Sequence, residues 1–186
     1  MNEQKRTTYI NFFAALNANS INALTNALDQ KYREGVQRFV LLISSPGGWI
    51  FHGLSAYNFL RGMPVEVHTH NFGSVDSSAV VLFLAGSKRY CVPDARFLIH
   101  PLTWQSQGPV NCTGEQLQEM VKSLQIDMDN VARVIARQTG KSKDDILKAM
   151  SDRTTLNPEE AIKFGLVHEI KVDLFPAGSE LVSIVM

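Results

Sequence analysis

An α/β fold is predicted by three features of this 186-residue sequence. Helix and strand signals alternate along the chain. The apolar run Phe39–Ile43 is short and unbroken, as in a strand buried on both faces. No linker, repeat or low-complexity tract interrupts the pattern. The length fits one domain, residues 1–186, with a core that needs no disulfide or metal. Apolar residues make up 45% and charged residues 19%, a globular rather than a disordered composition. Lys plus Arg is 18 and Asp plus Glu is 18, so the formal charge is zero. That balance speaks against nucleic acid as the main partner and against an electrostatic membrane anchor.

The elements follow in order. Ser20 reads as an N-cap, with Ile21, Leu24, Leu28 and Tyr32 at helical spacing and Gly35 at the stop. The strand Phe39–Ile43 runs into the turn Ser44-Ser-Pro-Gly-Gly48. A second helix extends from about Trp49 to Leu60, before Gly62 and Pro64. Val65–His70 alternates as a strand does. The small polar stretch Asn71–Ser78 then gives way to Ala79–Ala85 and Gly86, a buried helix starting near Ser77. Arg89–Val92 and Arg96–Ile99 are short strands around the Pro93-Asp94 turn. Thr113 and Gln116 form a capping box ahead of Leu117, Met120, Val121, Leu124, Met128, Val131 and Ile135. This predicts one helix of about 25 residues, roughly 37 Å long, ended by Gly140. So long a helix exceeds what a small core covers, so part of its stripe is expected to meet another subunit. Ser142 caps a short helix to Met150. Asn157-Pro-Glu-Glu160 opens another that ends at Gly165, and Leu166–Ile170 is the last core strand.

The longest apolar run, Ala79–Ala85, is far short of a membrane span. Asn11 interrupts the apolar stretch near the N-terminus, so no signal peptide is expected, and the location is read as cytoplasmic. Two cysteines, Cys91 and Cys112, make no disulfide framework. No cofactor and no metal site is expected. His68 and His70 share a strand face but lack a third ligand and are read as structural.

Ser77 is the sharpest chemical candidate. At a helix N-terminus, a serine nucleophile could have its oxyanion held by the next backbone amide, that of Ser78. Taken alone, Ser77 reads first as an N-cap. Gly48 could offer a second amide, because without a Cβ its backbone can approach a substrate closely, though from spacing alone a tight strand-to-helix turn is the reading that wins. His100, closing a strand, has the residue type of a general base. Asp152 could orient it, although its charged surroundings read as a solvated surface. Asp76 is an alternative acid whose place beside Ser77 points it elsewhere.

Together these pieces resemble the proteolytic subunit of the Clp protease, the ClpP family, over roughly Tyr9 to Ile170. The resemblance rests on the strand before Ser45-Pro-Gly-Gly48, on Gly73-Ser-Val-Asp-Ser77-Ser-Ala through Gly86, on Arg96-Phe-Leu-Ile-His100, on the helix Thr113–Thr139, and on Asn157–Val167. It implies a ClpP/crotonase-like spiral of repeated ββα units with a protruding handle helix at about 113–139. It also implies an ATP-independent serine endopeptidase core, acting on peptides or unfolded polypeptides inside stacked homo-oligomeric rings. Ser77 would be the nucleophile, His100 the base, and Gly48 and Ser78 the oxyanion donors. Counted without gaps from Gly165, the place of the acid falls on Arg153, and a one-residue insertion near Thr154-Thr155 would restore Asp152. Only about eight residues stand where the family carries its N-terminal strand-loop and helix, so an AAA+ ATPase partner is left open. A non-catalytic ring subunit and a crotonase-type acyl-CoA enzyme are the alternative readings.

Overall fold

The computed structural model describes residues 5–103, 108 and 111–186. The elements run β1 (Thr7–Phe13), α1 (Ala18–Arg33), β2 (Arg38–Ser45), α2 (Ile50–Gly62), β3 (Glu66–Asp76), α3 (Ser78–Phe83), β4 (Lys88–Cys91) and β5 (Arg96–Leu98). They continue as α4 (Gly114–Thr139), α5 (Lys143–Ser151), β6 (Thr155–Leu156), α6 (Pro158–Phe164), β7 (Glu169–Ile170) and β8 (Glu180–Val185). The main sheet order is β6-β5-β3-β2-β1-β8, and β4 branches off to pair with β3 and β7. Among the described strands every pairing is parallel except β5 with β6.

A parallel sheet must bury both faces, and the strand sequences comply. In β2 the run Phe39 to Ile43 is buried without a break. Phe12, Phe39, Phe83 and Phe97 are among the largest fully buried side chains, with Phe83 and Phe97 meeting at 5.1 Å between ring centroids. Helix α1 joins this core through Ile21, Leu24 and Leu28. Each contributes about 1.5–3 kcal/mol of burial free energy. Its cap differs from the sequence expectation. Asn17 is the N-cap, and Ser20 is the third helical residue of a reciprocal capping box. Ser20 is also buried and bonds back to Ala15, so it packs inside the turn that it was expected to start.

Strand β3 is the spine that places the site. Its first half pairs with β4 over His68–Asn71 and its second half with β5 over Ser74–Asp76. The two short strands therefore lie end to end along one long neighbour. The register between β2 and β3 shifts between Ile43 and Ser45, beside the Pro46-Gly47-Gly48 turn. Helix α3 follows β3 at once, and all six of its residues are buried.

Helix α4 has the Thr113/Gln116 capping box and a left-handed Gly140 at its end, as the sequence predicts. Its 26 residues give a length of about 39 Å. Val131, Ala132, Val134 and Ile135 reach the core, whereas Leu117, Val121 and Ile126 stand exposed. The outer half of the helix thus projects with its apolar stripe uncovered. Buried Arg89 anchors the inner half. Its guanidinium donates to the carbonyls of Gly86, Gln138, Gly165 and Leu166, at the ends of α3, α4 and α6. Those carbonyl-rich helix ends offset its charge without a carboxylate.

Strand β8 is not foreseen in the sequence. It pairs in parallel with β1 from Thr8/Glu180 to Phe13/Val185.

Candidate functional site

Among the described residues, Ser77 at the β3-to-α3 junction is one of two non-glycine residues with a positive φ. Ser77 has φ 59° and ψ −130°. This conformation is costly for a residue with a Cβ, and such strain concentrates at functional turns. Ser77 occupies the N-cap position, yet its side chain makes no capping hydrogen bond. The cap reading of this serine therefore fails at its own test. Its side chain is partly exposed at a sharp strand-to-helix turn. Only the position of Ser77 shows in the sequence, because no Gly stands in the usual elbow pattern around it.

The Gly47-Gly48 turn lies against this junction. A Cβ placed on Gly47 would sit 2.7 Å from both the Asp76 carbonyl oxygen and Ser77 Cβ, and 3.1 Å from the Ser78 nitrogen. Beyond β1 the chain reaches Leu16, which forms an isolated parallel bridge with Gly48. Leu16 donates its amide to the Gly47 carbonyl at 2.7 Å, and its own carbonyl accepts from the Trp49 amide at 3.0 Å. In a trans peptide the carbonyl and amide point in opposite directions. With the Gly47 carbonyl directed at Leu16, the Gly48 amide points away from Leu16. Ser78 Oγ donates to the Gly48 carbonyl at 3.0 Å, tying the turn to the start of α3. The Ser78 amide belongs to the first residue of that helix, where backbone amides lack an intrahelical acceptor.

The base candidate arrives from β5. Leu98 lies opposite Asp76 in the parallel register, and the Ser77 amide donates to the Leu98 carbonyl at 2.8 Å. His100 follows two residues later, so Ser77 and His100 leave the same end of adjacent strands. The Ile99 amide donates to the Thr154 carbonyl at 2.8 Å, which brings the Asp152–Thr154 segment alongside. His100 is half-buried, and its Nδ1 is 2.7 Å from the Pro101 carbonyl oxygen. A carbonyl can only accept, so Nδ1 carries the proton and Nε2 is the basic nitrogen of the neutral ring. No hydrogen bond joins Ser77 Oγ to the ring.

Asp152 ends α5 with its carboxylate exposed and without a bond or ion pair to any described residue. Next to it Arg153 adopts a left-handed φ of 52°. Asp76 is buried and points to Arg96, whose Nη2 lies 2.5 Å from Asp76 Oδ2. The remaining candidates lie elsewhere. His68 Nε2 is 2.9 Å from Glu66 Oε1, and His70 Nε2 is 2.9 Å from the Lys171 carbonyl. Burial holds both rings below the usual histidine range. Burial also pushes the Cys91 thiol up to about 11, which leaves it without nucleophilic character. A surface cavity of about 610 Å³, lined by Lys5, Tyr32, Met63 and Glu66 among others, sits at the N-terminal end of β2 and β3, away from Ser77. The loop after His100 lies, over residues 104–110, outside the described residues except for Gly108.

A family model described as Clp protease matches residues 8–173. The chain belongs to the Clp protease family. It is 30% identical over 132 residues to the ATP-dependent Clp protease proteolytic subunit 2 of Chlamydia trachomatis serovar D. That match covers 70% of this chain and 63% of the chlamydial protein, so the chain spans less than two thirds of that relative's length. The ATP-dependent Clp protease proteolytic subunit of Carsonella ruddii is 27% identical over 169 residues, 90% of this chain and 84% of that protein. Among solved structures, a point mutant of ClpP1 from Listeria monocytogenes superposes with a TM-score of 0.77 at 23% identity, covering 90% of this chain and 92% of that one. The fold is therefore the ClpP-like α/β fold that the motifs implied. Strand β8 lies beyond the family-matched segment. No described helix is long and apolar enough to cross a membrane.

Proposed function

We propose that this Clp protease family member is the proteolytic core of a serine endopeptidase. The observation that carries the reading is the strained Ser77 turn with its uncapped hydroxyl, joined by one backbone hydrogen bond to the strand that delivers His100. Ser77 Oγ attacks the scissile carbonyl. His100 Nε2 takes the proton and returns it to the leaving amine, while the Gly48 and Ser78 amides hold the oxyanion. The Pro101 carbonyl fixes the ring in the tautomer that this role needs. Asp152 is the acid of the proposal: to stabilise the imidazolium it would have to replace the Pro101 carbonyl at His100 Nδ1.

The same reading places the enzyme in the cytoplasm as a homo-oligomer whose rings stack through α4. There the exposed Leu117 and Val121 find their cover. Peptides or unfolded chains are the substrates, the hydrolysis itself uses no ATP, and an AAA+ ATPase would be needed only to unfold folded ones. A non-catalytic ring subunit is the second reading, favoured by the absence of any bond between Asp152 and His100.

A fluorophosphonate probe tests the choice. Labelling confined to Ser77 and abolished in Ser77→Ala, together with hydrolysis of a small apolar peptide ester, supports the peptidase. A correctly assembled oligomer that neither labels nor hydrolyses supports the second reading. Leu117→Asp with Val121→Asp should halve the native mass or reduce it further, and an unchanged mass would remove the role given to α4.

A further inference from the structure

We propose that Asp76 and Arg96 are positioning residues that clamp the nucleophile strand to the base strand, an inference that rests on the peptidase reading above. Strand β5 has only three residues, Arg96–Leu98, yet it must deliver His100. So short a strand has few ladder bonds to fix its register, and a slip of one residue would turn every side chain to the other face. The side chains supply what the ladder lacks. Arg96 lies opposite Ser74 in the pairing with β3, and Asp76 is the next residue on that face. Arg96 Nε donates to Ser74 Oγ at 3.1 Å and Nη2 to Asp76 Oδ2 at 2.5 Å. From β3, Asn71 Nδ2 also donates to the Arg96 backbone carbonyl at 2.9 Å. One arginine, four residues before His100, is thus held at three points along β3, the last of them Asp76, which precedes Ser77.

The clamp is one-sided in a way that makes it testable. Asp76 is 7% exposed, and its Oδ1 is buried without a partner among the described residues. Among those residues Arg96 is therefore the one cation bonded to this carboxylate, and removing it leaves a buried charge uncompensated. Loss of Arg96 should disturb the junction at Asp76 first, which is the residue whose successor is Ser77.

The experiment compares Arg96→Gln, Arg96→Lys, Asp76→Asn and the double variant Asp76→Asn/Arg96→Gln in the intact protein. Two readouts are used: kcat and KM on an apolar peptide ester, and hydrogen exchange of the Ser77 amide. Arg96→Gln should lower kcat about 30-fold with KM within about two-fold, because a misplacement of under about 1 Å acts on the reacting geometry and not on binding. Ser77 amide exchange should accelerate about 10-fold while amides of β1 and β2 keep their rates. Arg96→Lys should recover part of kcat, and the double variant should be no worse than Arg96→Gln alone, as expected of residues that act as a unit. An Arg96→Gln protein with kcat within about three-fold and unchanged Ser77 exchange overturns the clamp, as does acceleration spread evenly over the sheet. If the unmodified protein hydrolyses nothing, the peptidase reading has failed, and the exchange measurement alone decides the clamp.

Discussion

Gly47→Ala tests the packing of the glycine turn against the Ser77 junction. Gly47 has φ 86°, where a residue with a Cβ pays about 1–2 kcal/mol. Its new methyl would sit 2.7 Å from Ser77 Cβ and from the Asp76 carbonyl oxygen. To reach ordinary contact the turn and the junction must separate by about 0.7 Å. Both sides of that gap carry proposed machinery: the Gly48 amide on one and the Ser77 hydroxyl and Ser78 amide on the other. A misplacement of about 1 Å costs about 100-fold, so kcat should fall by about 30- to 100-fold. The assay is kcat and KM on an apolar peptide ester, with phosphonate labelling of Ser77 as a second readout. Gly62→Ala is the control, since a Cβ there meets nothing within 4 Å and the helix gains up to about 1 kcal/mol. A folded Gly47→Ala protein with kcat within about three-fold of the parent would refute the apposition of turn and junction as the source of catalysis.

Two further outcomes are expected. Arg89→Met removes the donors to four buried or part-buried carbonyls at three helix ends and should cost about 3 kcal/mol or more, read as a lower denaturant midpoint with an unchanged slope; a loss under about 1 kcal/mol would contradict the anchoring role. Burial raises the Glu66 pKa, but the bonds from Lys5, Arg38 and His68 outweigh it and bring Glu66 to about 2, from 4.5. Its depressed value means its stabilisation, about 2–3 kcal/mol after solvent screening, is full above pH 4.5 and is lost as pH falls toward 2. His68 and His70, held low by burial, act in the same direction from higher pH: the fold resists their protonation, so the unfolded state gains protons first and stability falls as pH drops below about 6.5. Tm should therefore decline from about pH 6.5 and steeply below about pH 4.5, and a Tm constant down to about pH 3 would contradict both assignments.

The fold is legible wherever a local rule has no competitor. The Thr113/Gln116 and Asn157/Glu160 boxes and the Gly140 and Gly165 stops form as read, because each satisfies backbone groups within one turn. Ser20 misleads because it lies three residues after Asn17, and either residue type caps well; the reciprocal box with Asn17 and the local hydrogen bond from its hydroxyl to the Ala15 carbonyl place Ser20 inside the helix. Strands β6 and β8 escape the sequence reading because two residues carry no period and because β8 follows a segment rich in turn residues. The site shows the deeper limit. A serine before an apolar helix reads as a cap from sequence, and nothing local distinguishes a cap from a nucleophile. At Ser77 the backbone departs from that of an ordinary cap, and its φ is held from outside: by the Gly47 turn, packed so close that a Cβ there would not fit, by the Leu98 carbonyl taking its amide, and by six buried residues of α3 that fix where the helix must begin. Release any one of these and Ser77 could relax toward an ordinary cap, with its hydroxyl turned back onto the helix amides. The same contacts that strain the residue therefore keep its oxygen off the helix end, and the strain energy is drawn from the burial of α3 against the sheet.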